Sequence, residues 1–302
     1  MSTEKIRKCI VTLAGCHQGQ RKKGVQYGYT AFLSPLFRSA GKTIKPFYND
    51  FRSDKYYKDP VYGSHIMGNN VVKVIKDNTS DKDRQFTSMV TLGGDHTISY
   101  GSIVAAMKTF ENVKVLWVDA HPDTHTPCSS LSGNCHGMPV SFLLGFSKMM
   151  EVPTQPHLNV KNLVYIGLRS IDEHEQALID EHDIKCYSAE DVKTKGINKV
   201  LSEIGTYWNV SEEKTDSKIH ISLDIDSIDP EFTPATGTPV PNGITPDDVK
   251  SIMKFANRCS VGGAANIDVT EVNPELSDVE GACKTYSVCE DLLSYYFSSY
   301  KD

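Results

Sequence analysis

Histidine and aspartate cluster at three places in this chain: Gly93-Gly94-Asp95-His96, Asp119-Ala120-His121-Pro122-Asp123 and Asp224-Ile225-Asp226. Imidazole nitrogens and carboxylate oxygens bind divalent cations, and His96, Asp119, His121, Asp123, Asp224 and Asp226 supply both without a thiol. Four carboxylates gathered in one low-dielectric cleft repel one another, and two dications would balance their four charges. The expectation is therefore a two-metal site, of the kind that turns water into a nucleophile near neutral pH. An oxygen-rich set suits Mn²⁺ or Mg²⁺ better than structural Zn²⁺. If these segments are extended, alternate side chains share a face, so Asp119, His121 and Asp123 would point one way, as would Asp224 and Asp226.

Such groups act together only if the fold carries them to one place. Each cluster follows an apolar run, Phe86 to Leu92, Val113 to Val118 and Ile219 to Leu223, that predicts a buried parallel strand. Ligands of open α/β sheets bind beyond the carboxyl ends of the strands. Cys9 to Ala14, Leu163 to Gly167 and Asn266 to Val269 read as further strands. Helical periodicity covers Ser99 to Phe110, Gly137 to Gly145, Glu173 to His182, Asn198 to Trp208, Thr245 to Asn257 and Tyr286 to Phe297. Strands alternating with helices predict an α/β fold, a three-layer α/β/α sandwich around a mainly parallel sheet. The polar stretches Asn49 to Tyr62 and Ser211 to Lys218 read as surface loops, and Gln20 to Lys23 as a solvated loop.

The 302 residues show no linker, repeat or low-complexity run, so a single domain spanning 1–302 is expected. With 32 basic against 38 acidic side chains and a net charge of −6, nucleic acid is an unsuitable partner. No apolar run approaches the ~20 residues that span a bilayer, and Met1 to Lys8 is polar rather than a signal-peptide start, so a cytoplasmic protein without a membrane partner is expected. Eight scattered cysteines without a Cys-x-x-Cys pair read as reduced thiols.

With the metal motifs, Gly24-Val25, Ser132-Gly133-Asn134-Cys135-His136-Gly137, Ser222 through Pro230, Pro234 through Pro239 and Glu271-Val272-Asn273-Pro274 resemble the ureohydrolase (arginase/agmatinase) family nearly end to end, most closely its arginase branch. The resemblance implies a sheet of about eight strands and a pair of manganese ions per subunit held by His96, Asp119, His121, Asp123, Asp224 and Asp226. It also implies His136 as proton shuttle and Glu271 as the carboxylate for a substrate guanidinium. Ser130, Ser132 and Asp172 match contacts around an amino-acid head group, Thr238 lies beside the substrate site, and a trimeric homo-oligomer is implied. The chain departs from the family at His125, where Asn usually meets the α-carboxylate, at Ser170, where Asp is common, and at Pro122.

The reaction implied is hydrolysis of L-arginine to L-ornithine and urea. A metal-bridging hydroxide attacks the guanidinium, and the leaving amine takes a proton through Asp123 or His136. Agmatine or another guanidino compound is the alternative substrate, and Asp172 favours the amino acid. A non-catalytic member would have lost metal ligands, and all six are present.

Overall fold

The computed structural model describes residues 7–42, 44–56, 58–147 and 155–300. Short runs of apolar and β-branched residues form β1 (Arg7–Ala14), β2 (Ile44–Phe51), β3 (Ser88–Leu92), β4 (Val113–Val118), β5 (Leu163–Leu168), β6 (Lys185–Ser188), β7 (Lys218–Asp224) and β8 (Asn266–Thr270). All pair in parallel in the order β2-β1-β3-β8-β7-β4-β5-β6. Between them lie α1 (Leu33–Ser39), α2 (Pro60–Asn78), α3 (Asp81–Arg84), α4 (Ile98–Thr109), α5 (Pro139–Leu144), α6 (Glu173–Glu181), α7 (Ala189–Lys195), α8 (Ile197–Trp208), α9 (Pro246–Cys259) and α10 (Val279–Ser298).

Alternation along each strand divides the core into two layers. Leu116, Val118, Val164 and Ile166 pack with Leu36, Val200, Ile204, Val249, Met253 and Leu292 on one face. Val115, Trp117, Leu163 and Tyr165 pack with Val71, Ile75, Ile103, Val104, Leu143 and Ile179 on the other. Helices cover both faces, giving the expected three-layer α/β/α sandwich. Helix α9 starts where its sequence says it should, with Thr245 and Asp248 forming a capping box and Pro246 in the first turn.

Several local expectations change. β2 and β6 were not legible, because both are edge strands and their buried-face pattern is broken: β2 carries Lys45, Pro46, Asn49 and Asp50, and β6 has only four residues. The polar stretch Asn49 to Tyr62 is no plain loop; it holds the end of β2 and, from Pro60, the start of α2, capped by Asp59. Ser211 to Lys218 ends inside β7 rather than outside it, with Lys218 buried and its Nζ donating to Thr87 O at 2.9 Å over the Phe110 ring. The last helix begins at Val279, ahead of the expected Tyr286, behind the Asp278 cap. The polar start through Ile6 lies outside the described residues. Among those described, no helix is long and apolar enough to cross a membrane.

The sheet order matters most at its centre. β3, β8, β7 and β4 are consecutive neighbours, so the segments after Leu92, Thr270, Asp224 and Val118 emerge side by side. Gly93 makes the first turn there: its φ is 87°, its N–H donates to Val269 O, and a Cβ would stand 2.5 Å from Tyr29 N. Gly93→Ala should therefore cost about 1–3 kcal/mol through left-handed strain and collision. A lower urea-unfolding midpoint at an unchanged denaturant slope would show it.

Candidate metal centre

The His96 ring is buried and clamped. The turn after β3 leads into α4, and the ring stacks on Trp117, centroids 4.2 Å apart at 16°. Its Nε2 lies 3.0 Å from Ser222 Oγ, and that hydroxyl donates to Asp268 Oδ1 at 2.7 Å. The serine oxygen thus receives the Nε2 proton, which leaves the lone pair of the neutral ring on Nδ1. Around Nδ1 stand Asp119 Oδ2 at 3.0 Å, Asp123 Oδ2 at 3.1 Å and Asp224 Oδ2 at 3.2 Å. Yet, among the described residues, Nδ1 has no hydrogen-bond partner. The oxygens are close but not aligned for a hydrogen bond, and a buried lone pair ringed by carboxylate oxygens fits a cation.

A second group adjoins the first. His121 Nδ1 lies 3.2 Å from Asp226 Oδ2 and 3.5 Å from Asp119 Oδ1. His96, Asp119 and Asp123 form one triad of convergent ligand atoms, and Asp119, His121 and Asp226 form another. Asp119 belongs to both, one oxygen to each side, and Trp117 Nε1 donates to its Oδ2 at 3.0 Å. Thr238 Oγ1 donates to Asp226 Oδ2 at 2.8 Å, so this side chain holds a candidate ligand.

The convergence does not come from extended alternation. β4 stops at Val118, His121 N–H folds back onto Asp119 Oδ1 at 2.7 Å, and Asp123 lies at φ 53°. Asp224 ends β7, and its Oδ1 accepts Asp226 N–H at 2.8 Å in a tight turn. Turns, not a pleated face, aim these side chains.

Burial and close neighbours move the titration of these groups together. Burial opposes a charge on His96, but Asp119, Asp123 and Asp224 outweigh it and push the ring well above its ordinary range. His121, similarly opposed by burial, is driven up to about 12 by Asp226 and Asp119. Burial, then Asp119, raises the Asp123 carboxyl to about 6. Burial and neighbouring aspartates also raise Asp224 and Asp226.

Beside the clusters lies a cavity of about 270 Å³ lined by the candidate ligands His121, Asp123 and Asp224, by Thr238, and by His125, Ser130, Ser132, His136, Asp172 and Glu175. The sequence-predicted head-group residues do gather there, with one difference. His125 Nε2 lies 2.8 Å from Asp172 Oδ2, while Asp172 Oδ1 caps α6 by accepting Glu175 N–H, so both oxygens are engaged. Glu271 lies one layer deeper, buried at φ 63°, with His136 Nδ1 3.1 Å from its Oε1. Burial disfavours charge on both, but the contact holds Glu271 below its usual range and lifts His136 to about 9. A larger groove, about 1000 Å³ between α8 and α9, contains none of these residues.

Sequence reasoning missed Gln20, whose Nε2 donates to Glu271 Oε2 at 2.6 Å from a segment read as solvated loop. It also missed Ser222 and Asp268 behind His96, and Glu175, pushed up to about 7 by burial and then by Asp123. Only Glu175 carried a local signal, three residues past the Asp172 cap on the same helix turn.

A model described as the Arginase family matches residues 8–294. The chain is similar to mitochondrial arginase-2 of Rattus norvegicus, 33% identical over 315 residues, covering 99% of this chain and 87% of that protein. It superposes on the Entamoeba histolytica arginase solved in complex with L-ornithine with a TM-score of 0.78 at 29% identity, covering 98% and 99% of the two chains. For arginase from Bacillus subtilis the TM-score is 0.80 at 28% identity, covering 96% and 98%.

Dications must compete with protons for this site. Groups with raised pKa values keep their protons below those values and open to metal above them, so binding should release protons and weaken as pH falls. Calorimetric titration of metal-free protein with Mn²⁺, from about pH 5 to about pH 8, should show affinity climbing through the Asp123 range near 6. The same affinity at every pH would show that these carboxylates do not hold the ion.

Proposed function

The chain belongs to the arginase family, and we propose that it uses two Mn²⁺ ions to hydrolyse the guanidinium group of L-arginine to L-ornithine and urea. It is a hydrolase of carbon–nitrogen bonds in linear amidines. The observation that carries the finer reading is the pair of histidine–carboxylate triads sharing Asp119 beside an acidic cavity. The wall contains Asp123, Asp172, Glu175 and Asp224 and, among the described residues, no lysine or arginine, a lining that suits a cation. The oxygen-rich donor set favours Mn²⁺, and the Entamoeba relative binds L-ornithine, the product expected here.

In this reading His96, Asp119, His121, Asp123, Asp224 and Asp226 would hold the pair of ions. When bound, such a pair supplies the Lewis acidity that lets water act as a nucleophile near neutral pH. The chain's own residues do the rest. Glu271, kept ionised in a buried setting, offers the guanidinium a charge-assisted hydrogen bond that orients as well as binds it. His136 carries a proton at neutral pH and gives it to the leaving amine, and Asp123 in the same cavity is the second proton carrier. Ser130 and Ser132 meet the amino-acid head, and Asp172 its ammonium. The eight cysteines are free, which supports a reducing compartment and hence the cytoplasm, and a trimer follows the family.

The His125–Asp172 pair favours a second reading. It occupies the oxygen that would grip an α-ammonium, so agmatine or another guanidino compound without that group competes as substrate.

Urea release from arginine, agmatine and guanidinobutyrate by Mn²⁺-loaded protein tests both readings. Arginine should be preferred, and absence of urea from all three would remove the proposal. His121→Ala should lose metal and activity together. His136→Ala should keep both ions while turnover falls about 10²-fold or more.

A further inference from the structure

Asp95 belongs to the Gly93-Gly94-Asp95-His96 motif but joins neither ligand triad. It is fully buried, and its carboxylate works in the opposite direction, toward the loop after β1. Oδ2 accepts Gly19 N–H at 2.9 Å, and Oδ1 accepts Thr97 N–H at 3.1 Å. Asp95 N–H in turn donates to Cys16 O at 2.9 Å. Gly19 fits because it has no side chain; a Cβ there would run into Thr97 Oγ1 and Asp95 Oδ1.

The pinned loop reaches the deep carboxylate. Gly19 O accepts His136 N–H at 3.1 Å, the next residue, Gln20, donates to Glu271 Oε2 at 2.6 Å, and Lys22 Nζ reaches Gly237 O. The two Glu271 oxygens are held differently. Oε1 accepts His96 N–H at 2.9 Å and faces His136 Nδ1 at 3.1 Å, whereas Oε2 is met, among the described residues, by Gln20. Contacts on one oxygen leave a carboxylate free to swing about them; a donor on the other fixes its plane.

We propose that Gln20, pinned by Asp95 through Gly19, is a positioning residue that fixes the plane of the Glu271 carboxylate and thereby sets how the guanidinium is bound. This rests on the reading of Glu271 as the guanidinium-binding carboxylate. Gln20 touches Glu271 and acts through it. Because the guanidinium is cationic when it binds and loses that charge as hydroxide adds to its carbon, a misoriented Glu271 weakens substrate binding more than the chemical step. A lost hydrogen bond to a charged acceptor corresponds to roughly 10- to 100-fold.

The test uses the full chain loaded with Mn²⁺, comparing the parent, Gln20→Leu, Gln20→Glu, Asp95→Asn and the Asp95→Asn/Gln20→Leu double variant, with metal content measured for each. Gln20→Leu should raise KM for arginine about 10-fold or more with kcat within about threefold. Gln20→Glu, which sets carboxylate against carboxylate, should raise it further. The KM effect of Asp95→Asn should vanish in the Gln20→Leu background, as for a residue acting through another. Crystal structures of the parent and Gln20→Leu should show the Glu271 carboxylate rotated in the variant. An unchanged KM with Glu271 in place overturns the proposal, and so does a lower KM, which would make Gln20 a plug that substrate displaces. If the parent releases no urea from any guanidino compound, the reaction reading fails, while the Glu271 rotamer still decides the part played by Gln20.

Discussion

Four aspartates, none more than 7% exposed, face one another at the carboxyl edge of the sheet. Nothing in the apolar core below can neutralise them. Bare buried carboxylates repel and cost several kcal/mol each to desolvate, so something positive must enter the cluster. Burial and mutual repulsion raise the Asp123, Asp224 and Asp226 carboxyls, and the same aspartates raise the His96 and His121 rings, so these groups leave their ordinary ranges together. The same surroundings that make protons expensive to remove make dications rewarding to bind.

This constraint explains the backbone nearby. Two of the described non-glycine residues with positive φ are Asp123, in the cluster, and Glu271, whose carboxylate meets His96 N–H, His136 and Gln20 beside it. Each conformation costs on the order of 1–3 kcal/mol and persists only when its surroundings hold it. Glu271 is held by its own N–H on Gly94 O and by donors on both carboxylate oxygens, and Asp123 by the Val140 N–H on its carbonyl and by Tyr165 OH on the carbonyl of Pro122 just before it. Strain here keeps charged side chains aimed at a place they would otherwise avoid.

Legibility followed how local the determining physics was. Strands β3, β4 and β7 are buried on both faces, so their apolar runs stand out, and the acids at their ends could be read with them. The edge strands β2 and β6 keep one side against polar surroundings, and their patterns dissolve into loop-like sequence. At the site, residue type and motif order named the six candidate ligands. They could not supply the manner of convergence, because expected alternation gave way to turns at Asp119–Asp123 and Ile225–Ser227. They also could not reveal Gln20, whose contact with Glu271 spans 251 residues of chain, or the pairing of His125 with Asp172 across two loops.

Lys218, at the amino edge of β7, shows how the fold treats a charge it does not need for chemistry. Burial pushes this amine down to about 7, and the chain answers with two carbonyls, Thr87 O and Gln85 O, and the face of Phe110. One cation among backbone dipoles is a solved problem, complete within the polypeptide. At the opposite end of the same strand, Asp224 and Asp226 meet other acids. The hydroxyl of Thr238, the nearby N–H groups and the single guanidinium of Arg169, whose Nη2 donates to the Asp226 carbonyl, do not balance four carboxylates. Where a protein already has carbonyls and rings to settle a buried charge, four acids left to one another mark a place shaped for ions from outside.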